Sequence, residues 1–311
     1  MNEGGGGLAR GRAHVAAAAL TLVLLAAPFI GRAVVSSDGA EVLAETLGLF
    51  VTGRLEAPTT PPEYIDPFFP PAPPLHSRYG FFPSLLLVPF VGAAWPFREA
   101  LGPAGFDAAI ALAWPVGTLL LCVSFLRLVR ALDPGASGFW PAAILAATPL
   151  WPYAADSFFE PWAGAGIAAS AAILLAPREG EKTGRALLAA LAFGVGCWLK
   201  PVVWVTAPVF LLAAALARRR NAGAGPFVAA FVSGLGAALA VALTVNAVRN
   251  GRIGDFGYGY EGLPFVTPIE VGTFGLLAGA SRGLLLFAPI VLVGIVAGVL
   301  RASAAVRVLC L

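Results

Sequence analysis

Residues 225–247 contain no Asp, Glu, Lys or Arg. About 20 apolar residues in a helix cross the hydrocarbon core of a bilayer, so this tract alone is long enough to span one. Further apolar runs cover 14–30, 108–126, 139–154, 161–176, 186–199, 202–217 and 284–300. These runs are continuous rather than alternating, which excludes an outer-membrane barrel. Composition agrees: 59% of the residues are hydrophobic, 12% are charged, and mean hydropathy is +0.84. Soluble domains average roughly 45–50% apolar and about 25% charged. The same hydrophobicity excludes a disordered chain. The expected fold is all-α, a polytopic transmembrane helical bundle of about eight spans forming one domain over residues 1–311.

Charge placement gives the orientation. Net charge is +3 and the isoelectric point is near 9.0, but the basic residues flank apolar runs, so topology rather than nucleic acid explains them. Arg10 and Arg12 precede the run His14–Ile30. No small-x-small cleavage site followed by a soluble domain appears, so this run reads as a first span with the N-terminus inside. The run 81–97 (FFPSLLLVPFVGAAWPF) is short and holds three prolines. If it crossed, the loop with Arg127 and Arg130 and the loop with Arg218, Arg219 and Arg220 would both lie outside, against the positive-inside rule. If it lies in the outer interface or re-enters, both loops fall inside with the Arg178–Arg185 loop. The second arrangement is the one expected. It puts the Asp156–Glu160 loop, the Lys200 turn and the loop 249–283 outside.

Two external loops are long. The loop 32–80 carries an amphipathic stretch, Glu41 to Phe50, suited to a helix lying on the membrane surface. A Pro-rich path follows, stiffened without needing backbone donors. The loop 249–283 contains DFGYGYEG. The runs on either side of Lys200 are short, so they read as a tight hairpin turning at Lys200-Pro201.

Several residues fit chemistry at the outer boundary, and each has a plainer alternative. Asp38 lies just past the first span, where an apolar wall raises a carboxylate pKa and suits it to general-base work. Alternatively Ser36, Ser37 or Asp38 opens the surface helix, with Glu41 completing a capping box. Arg78 and Tyr79 suit a phosphate clamp or an interface anchor. Asp156 and Glu160 are four apart and suit an acceptor or a divalent cation, or a solvated loop. Lys200 is one of two lysines and sits inside a long apolar tract, where a cation at a helix centre costs about 2.5–3.5 kcal/mol. At a hairpin turn it faces lipid phosphate at lower cost, either as a ligand or as a plain turn charge. Arg282 opens the last span, and Tyr258 and Tyr260 stand among glycines before it. They suit an anionic or sugar ligand, or interface anchoring.

Other classes find no support. Cys122, Cys197 and Cys310 have no metal or disulfide spacing, and two histidines, His14 and His76, do not make a metal site. No P-loop, zincin helix, nucleophile elbow, voltage-sensor helix or selectivity filter occurs. A Ser or Cys nucleophile lacks a histidine partner. The sequence points to no definite cofactor, and a divalent cation stays an open alternative.

The order of motifs is familiar. Ser37-Asp38-Gly39 follows the first span, and the first long loop ends in Ser77-Arg78-Tyr79-Gly80-Phe81-Phe82-Pro83. Next come Pro149 to Tyr153 with Asp156 and Glu160, then Gly194, Gly196, Lys200 and Pro201. Asn246, Phe256 to Tyr260, Ser281-Arg282-Gly283-Leu284 and Ala288-Pro289 complete the series. Over residues 14–300 the chain resembles the GT-C superfamily of polytopic membrane glycosyltransferases. The resemblance is to the bacterial group related to protein O-mannosyltransferases and aminoarabinose transferases. It implies an inverting hexosyl- or pentosyltransferase of the cell envelope, multi-pass in the inner membrane. Such an enzyme moves a sugar from a polyprenyl-phosphate donor to an external acceptor, which the sequence does not name. Its partners are the donor and membrane lipids, not nucleic acid.

By the same resemblance Asp38 matches the catalytic base and Asp156 a second acidic site. Arg78, Lys200 and Arg282 match phosphate-side positions, with Glu160, Tyr79, Tyr258 and Tyr260 beside them. Many members carry two adjacent acidic residues where this chain has Asp38-Gly39. Members are also typically longer, so an end at Leu311 reads as C-terminal truncation. A lipid-linked sugar transporter or flippase, and a truncated non-catalytic membrane protein, are the competing readings.

Overall fold

The computed structural model describes residues 37–53, 80–134, 159–176, 183–218, 224–251 and 253. Among them every regular element is helical. In chain order these are α1 (Ser37–Thr52), α2 (Phe81–Ala94), α3 (Arg98–Ile110), α4 (Ala113–Leu132), α5 (Glu160–Leu175), α6 (Thr183–Leu199), α7 (Ala207–Arg218) and α8 (Ala224–Asn250). Short 3-10 turns, Trp95–Phe97 and Pro201–Thr206, lead into α3 and α7. The runs Phe81–Leu132 and Gly225–Asn250 are long and apolar enough to cross a membrane. The apolar helices Glu160–Leu175, Thr183–Leu199 and Pro201–Leu216 are shorter.

Proline and glycine set the boundaries. Gly80 takes φ 85°, a region open to glycine at no steric cost, at the entry to α2. Within the run Phe81–Leu132, Pro89 removes a hydrogen bond inside α2. Gly102 leaves helical geometry at φ 64° just before Pro103, which kinks α3. The apolar run expected from residue 108 lies within the run Phe81–Leu132, and a turn at Ala111 and Leu112 divides it between the end of α3 and the start of α4. In α5, Glu160 and Pro161 occupy the first turn, where a missing N–H costs nothing and a carboxylate meets the positive end of the helix dipole.

The turn expected at Lys200-Pro201 is present, and Phe193 and Phe210 from its two sides meet at 4.6 Å across the 3-10 segment Pro201–Thr206. A residue before proline is pushed out of the helical region, and Lys200 is extended at φ −139°, ψ 93°. That ends α6 at Leu199 and turns the chain back.

Small residues let the helices approach. A Cβ placed on Gly166 of α5 would lie 2.5 Å from the Ala192 carbonyl oxygen of α6, and one on Gly196 would lie 2.9 Å from the Ala163 carbonyl oxygen. Between α6 and α8, Gly194 faces Ala238 and Gly234 faces Ala190 in the same manner. Lipid tails are as apolar as leucine, so helices in a bilayer associate by such close packing rather than by hydrophobic burial. A core of Phe193, Phe210, Phe227, Phe231, Leu174 and Leu235 fills the space around this seam.

Contacts along the helices fix their direction. The start of α4 meets the start of α5: the Trp114 and Phe159 rings are 5.2 Å apart, and Trp162 Nε1 donates to the Ala113 carbonyl at 3.1 Å. The start of α5 meets the end of α6, and Phe82 at the start of α2 stacks on Trp198 at 4.6 Å. At the other end, Arg185 of α6 donates to the Ile173 carbonyl of α5, and Leu128 of α4 packs on the core that holds Leu174 and Ala186.

Candidate functional site: two ion pairs at one end of the bundle

The first pair joins two residues already singled out by sequence. Lys200 Nζ lies 2.7 Å from Glu160 Oε1. Pro161 starts α5 at Glu160 and Pro201 ends α6 at Lys200, so the two prolines deliver both charges to one end of the helix pair. The side chains are 21% and 34% exposed, so the pairing itself adds only about 0–1 kcal/mol to stability. Glu160 Oε2 and the Trp204 indole N–H are enclosed with no hydrogen-bond partner among the described residues. The stacked Phe82 and Trp198 rings lie at an interplanar angle of 11°, and Trp198 Nε1 donates to the Ala238 carbonyl at 2.8 Å. Leu199 packs in one cluster with Val42 of α1, Leu87 of α2 and Trp114 of α4. The helices α1 and α2 thus sit at the same end as Lys200.

The second pair was not foreseen. Glu45 of α1 and Arg249 of α8 are 0% and 1% exposed, with Arg249 Nη2 at 2.9 Å from Oε1 and 3.0 Å from Oε2. Ser84 Oγ of α2 donates to Glu45 Oε2 at 2.9 Å. Thr46, also fully buried, donates to the carbonyls of Val42 at 2.6 Å and Ser84 at 3.2 Å. Asn246 lies one turn before Arg249; it is buried, and its Nδ2 has no partner among the described residues.

The stretch Glu41–Phe50, expected as a helix on the membrane surface, is helical, and Val42, Glu45 and Thr46 on it are buried. One sequence expectation is corrected by this pair. The loop assigned to 249–283 starts too early, because α8 continues through Arg249 to Asn250. The available signal was weak: Glu45 recurs at helical spacing with Val42 and Leu49, and Arg249 follows Asn246 at i+3 where the apolar tract closes.

Asp38 is the second residue of α1, which begins at Ser37. Arg78, Tyr79, Asp156, Tyr258, Tyr260, Arg282 and Cys310 lie outside the described residues, as do the runs 14–30, 139–154 and 284–300. Among the described residues no three His, Cys, Asp or Glu side chains gather as a metal group.

Chemically, this end of the bundle offers a cation held by a carboxylate, an aromatic wall and two enclosed polar atoms with unused hydrogen-bonding capacity. An ammonium there is a compact charge suited to a phosphate oxygen. No protein-family model, curated protein or solved structure matches the chain.

Proposed function

We propose that the chain is a polytopic inner-membrane glycosyltransferase of about eight spans, N-terminus cytoplasmic, that transfers a sugar from a polyprenyl-phosphate donor to an acceptor on the outer face. The observation that carries this reading is the meeting of Lys200 and Glu160 at 2.7 Å, at the bundle end where α1, the helix bearing Asp38, is anchored. Arg127 and Arg130 sit toward the far end of α4 and Arg185 at the far end of α6. That distribution is what the positive-inside rule requires if the Lys200 end faces outward.

In the proposed reaction Asp38 takes the proton of an acceptor hydroxyl, and the oxygen attacks the anomeric carbon from the face opposite the phosphate. The bond from that carbon to the phosphate oxygen breaks with inversion, and polyprenyl phosphate leaves with the bonding electron pair. Lys200 stabilises the charge that grows on the leaving phosphate, as a positioned cation does. Glu160 orients Lys200. Arg78, Tyr79, Asp156, Tyr258, Tyr260 and Arg282 are assigned to the donor and acceptor sides of the same chamber, from segments outside the described residues.

The test is a membrane assay with a panel of polyprenyl-phosphate sugars, wild type against Asp38→Asn. Transfer by the wild type that falls by about 10²–10⁴-fold in the variant is the general-base outcome. An Asp38→Asn variant transferring at full rate removes the assigned role. Movement of the lipid-linked sugar across vesicles without transfer replaces the enzyme by a transporter.

A further inference from the structure

The buried pair Glu45–Arg249 lies outside the assigned chemistry yet joins the first and last described helices, across 204 positions of sequence. Burying both charges is expensive, and a buried pair is weak evidence for stability, since apolar residues of similar size often serve as well. Its presence therefore points to geometry. Along its length α1 packs against α2, while its link to α8 is made by side chains. Three polar groups converge on that link: the guanidinium of Arg249, the carboxylate of Glu45 and the Ser84 hydroxyl from α2. Helical spacing puts positions 38, 42 and 45 on one stripe of α1, and on that stripe Val42 and Glu45 are fully buried.

We infer that Glu45 and Arg249, with Ser84 as the third partner, are positioning residues that fix α1 against the end of α8 and so set the place of Asp38 over the Lys200–Glu160 end. The role of Asp38 in this statement rests on the transferase reading; the fixing of α1 does not. Arg249 also closes the last turn of α8, where a cation meets the negative end of the helix dipole. Truncating Glu45 alone leaves that cation buried without its carboxylate, whereas truncating both charges removes the mismatch. The single variants and the double variant therefore separate positioning from plain stability.

The experiment uses the full chain in nanodiscs and compares wild type, Glu45→Gln, Ser84→Ala and Glu45→Gln/Arg249→Gln by amide hydrogen exchange. In Glu45→Gln, exchange across residues 41–52 accelerates on the order of a hundredfold, while residues 186–199 of α6 keep their protection. Ser84→Ala shows a smaller acceleration confined to α1 and α2, about tenfold. In the double variant α6 stays protected and α1 stays fast. Unchanged α1 exchange in Glu45→Gln, or loss of protection in α1 and α6 together, overturns the inference. Kinetics with the polyprenyl-phosphate sugar panel supply the functional arm: kcat falls in Glu45→Gln and in the double variant, with donor KM unchanged. A double variant restored to wild-type kcat contradicts positioning. A wild type that transfers nothing removes the transferase reading and leaves the fixing of α1 to be decided by exchange alone.

Discussion

Alanine at Gly166 probes the seam on which the helix bundle depends. The new Cβ would lie 2.5 Å from the Ala192 carbonyl oxygen, 3.0 Å from the Gly196 nitrogen and 3.3 Å from the Gly196 Cα. Ordinary contact begins at 3.4 Å, so α5 and α6 must separate by close to 1 Å. Each neighbour is α6 backbone, and none is a side chain free to rotate away. Overpacking of this kind typically costs about 1–3 kcal/mol, and rigid backbone on both sides puts this site at the upper end. Alanine gains about 1 kcal/mol of helix propensity over glycine, which offsets part of the loss. The expected net effect is destabilisation by about 1–2 kcal/mol. Gly236 of α8 is the control: a Cβ there meets nothing within 4 Å among the described residues, so only propensity acts and Gly236→Ala stabilises by about 0.5–1 kcal/mol. Reversible unfolding in mixed micelles, followed by circular dichroism, measures both variants. A Gly166→Ala protein as stable as wild type, or more so, would show that α5 and α6 are not packed backbone to backbone.

Three further outcomes are expected. Lys200→Met leaves unfolding within about 1 kcal/mol of wild type, because the Glu160 pair is partly solvated, but in the proposed transfer reaction lowers kcat at least about tenfold, since the charge growing on the leaving phosphate loses its cation. Trp198→Phe keeps the stack on Phe82 but loses the hydrogen bond to the Ala238 carbonyl, lowering stability by about 1 kcal/mol in the same unfolding assay. Trp162→Phe, which loses the bond to the Ala113 carbonyl, shows a similar drop, and a drop several times larger in either variant would mean the indole ring is held by more than that bond.

What the residues announced and what they withheld follow from the range of the interactions. The turn at Lys200 is local: proline forbids helix at the residue before it, and two short apolar runs flank a lone cation. The start of α5 at Glu160 is local as well: Pro161 fits a first helical turn, where its missing N–H costs nothing. Their meeting follows once two helices are antiparallel neighbours with their charged ends level. The boundary between α3 and α4 was not legible because the turn at Ala111 and Leu112 falls among apolar residues, which hydropathy does not register, while backbone geometry does. Glu45 was hidden more deeply. Hydropathy counts a carboxylate as solvated, and its burial here depends on Arg249, which lies 204 positions away. Pattern within one helix carries no information on such a partner. Position Arg249 read as the first residue of a loop for the same reason: a charge closing an apolar tract ordinarily marks the membrane edge, whereas here it is enclosed by α1.

The central claim is that Glu160, Lys200 and the first turn of α3 share the outer aqueous boundary, opposite the arginine-bearing ends of α4 and α7. Impermeant thiol labelling tests it in intact cells, with Cys122, Cys197 and Cys310 replaced by serine and single cysteines introduced as Ala100→Cys, Lys200→Cys and Arg130→Cys. The account predicts that the first two label from outside and that Arg130→Cys labels only after permeabilisation. Outside labelling of Arg130→Cys, or protection of Lys200→Cys until permeabilisation, would contradict it.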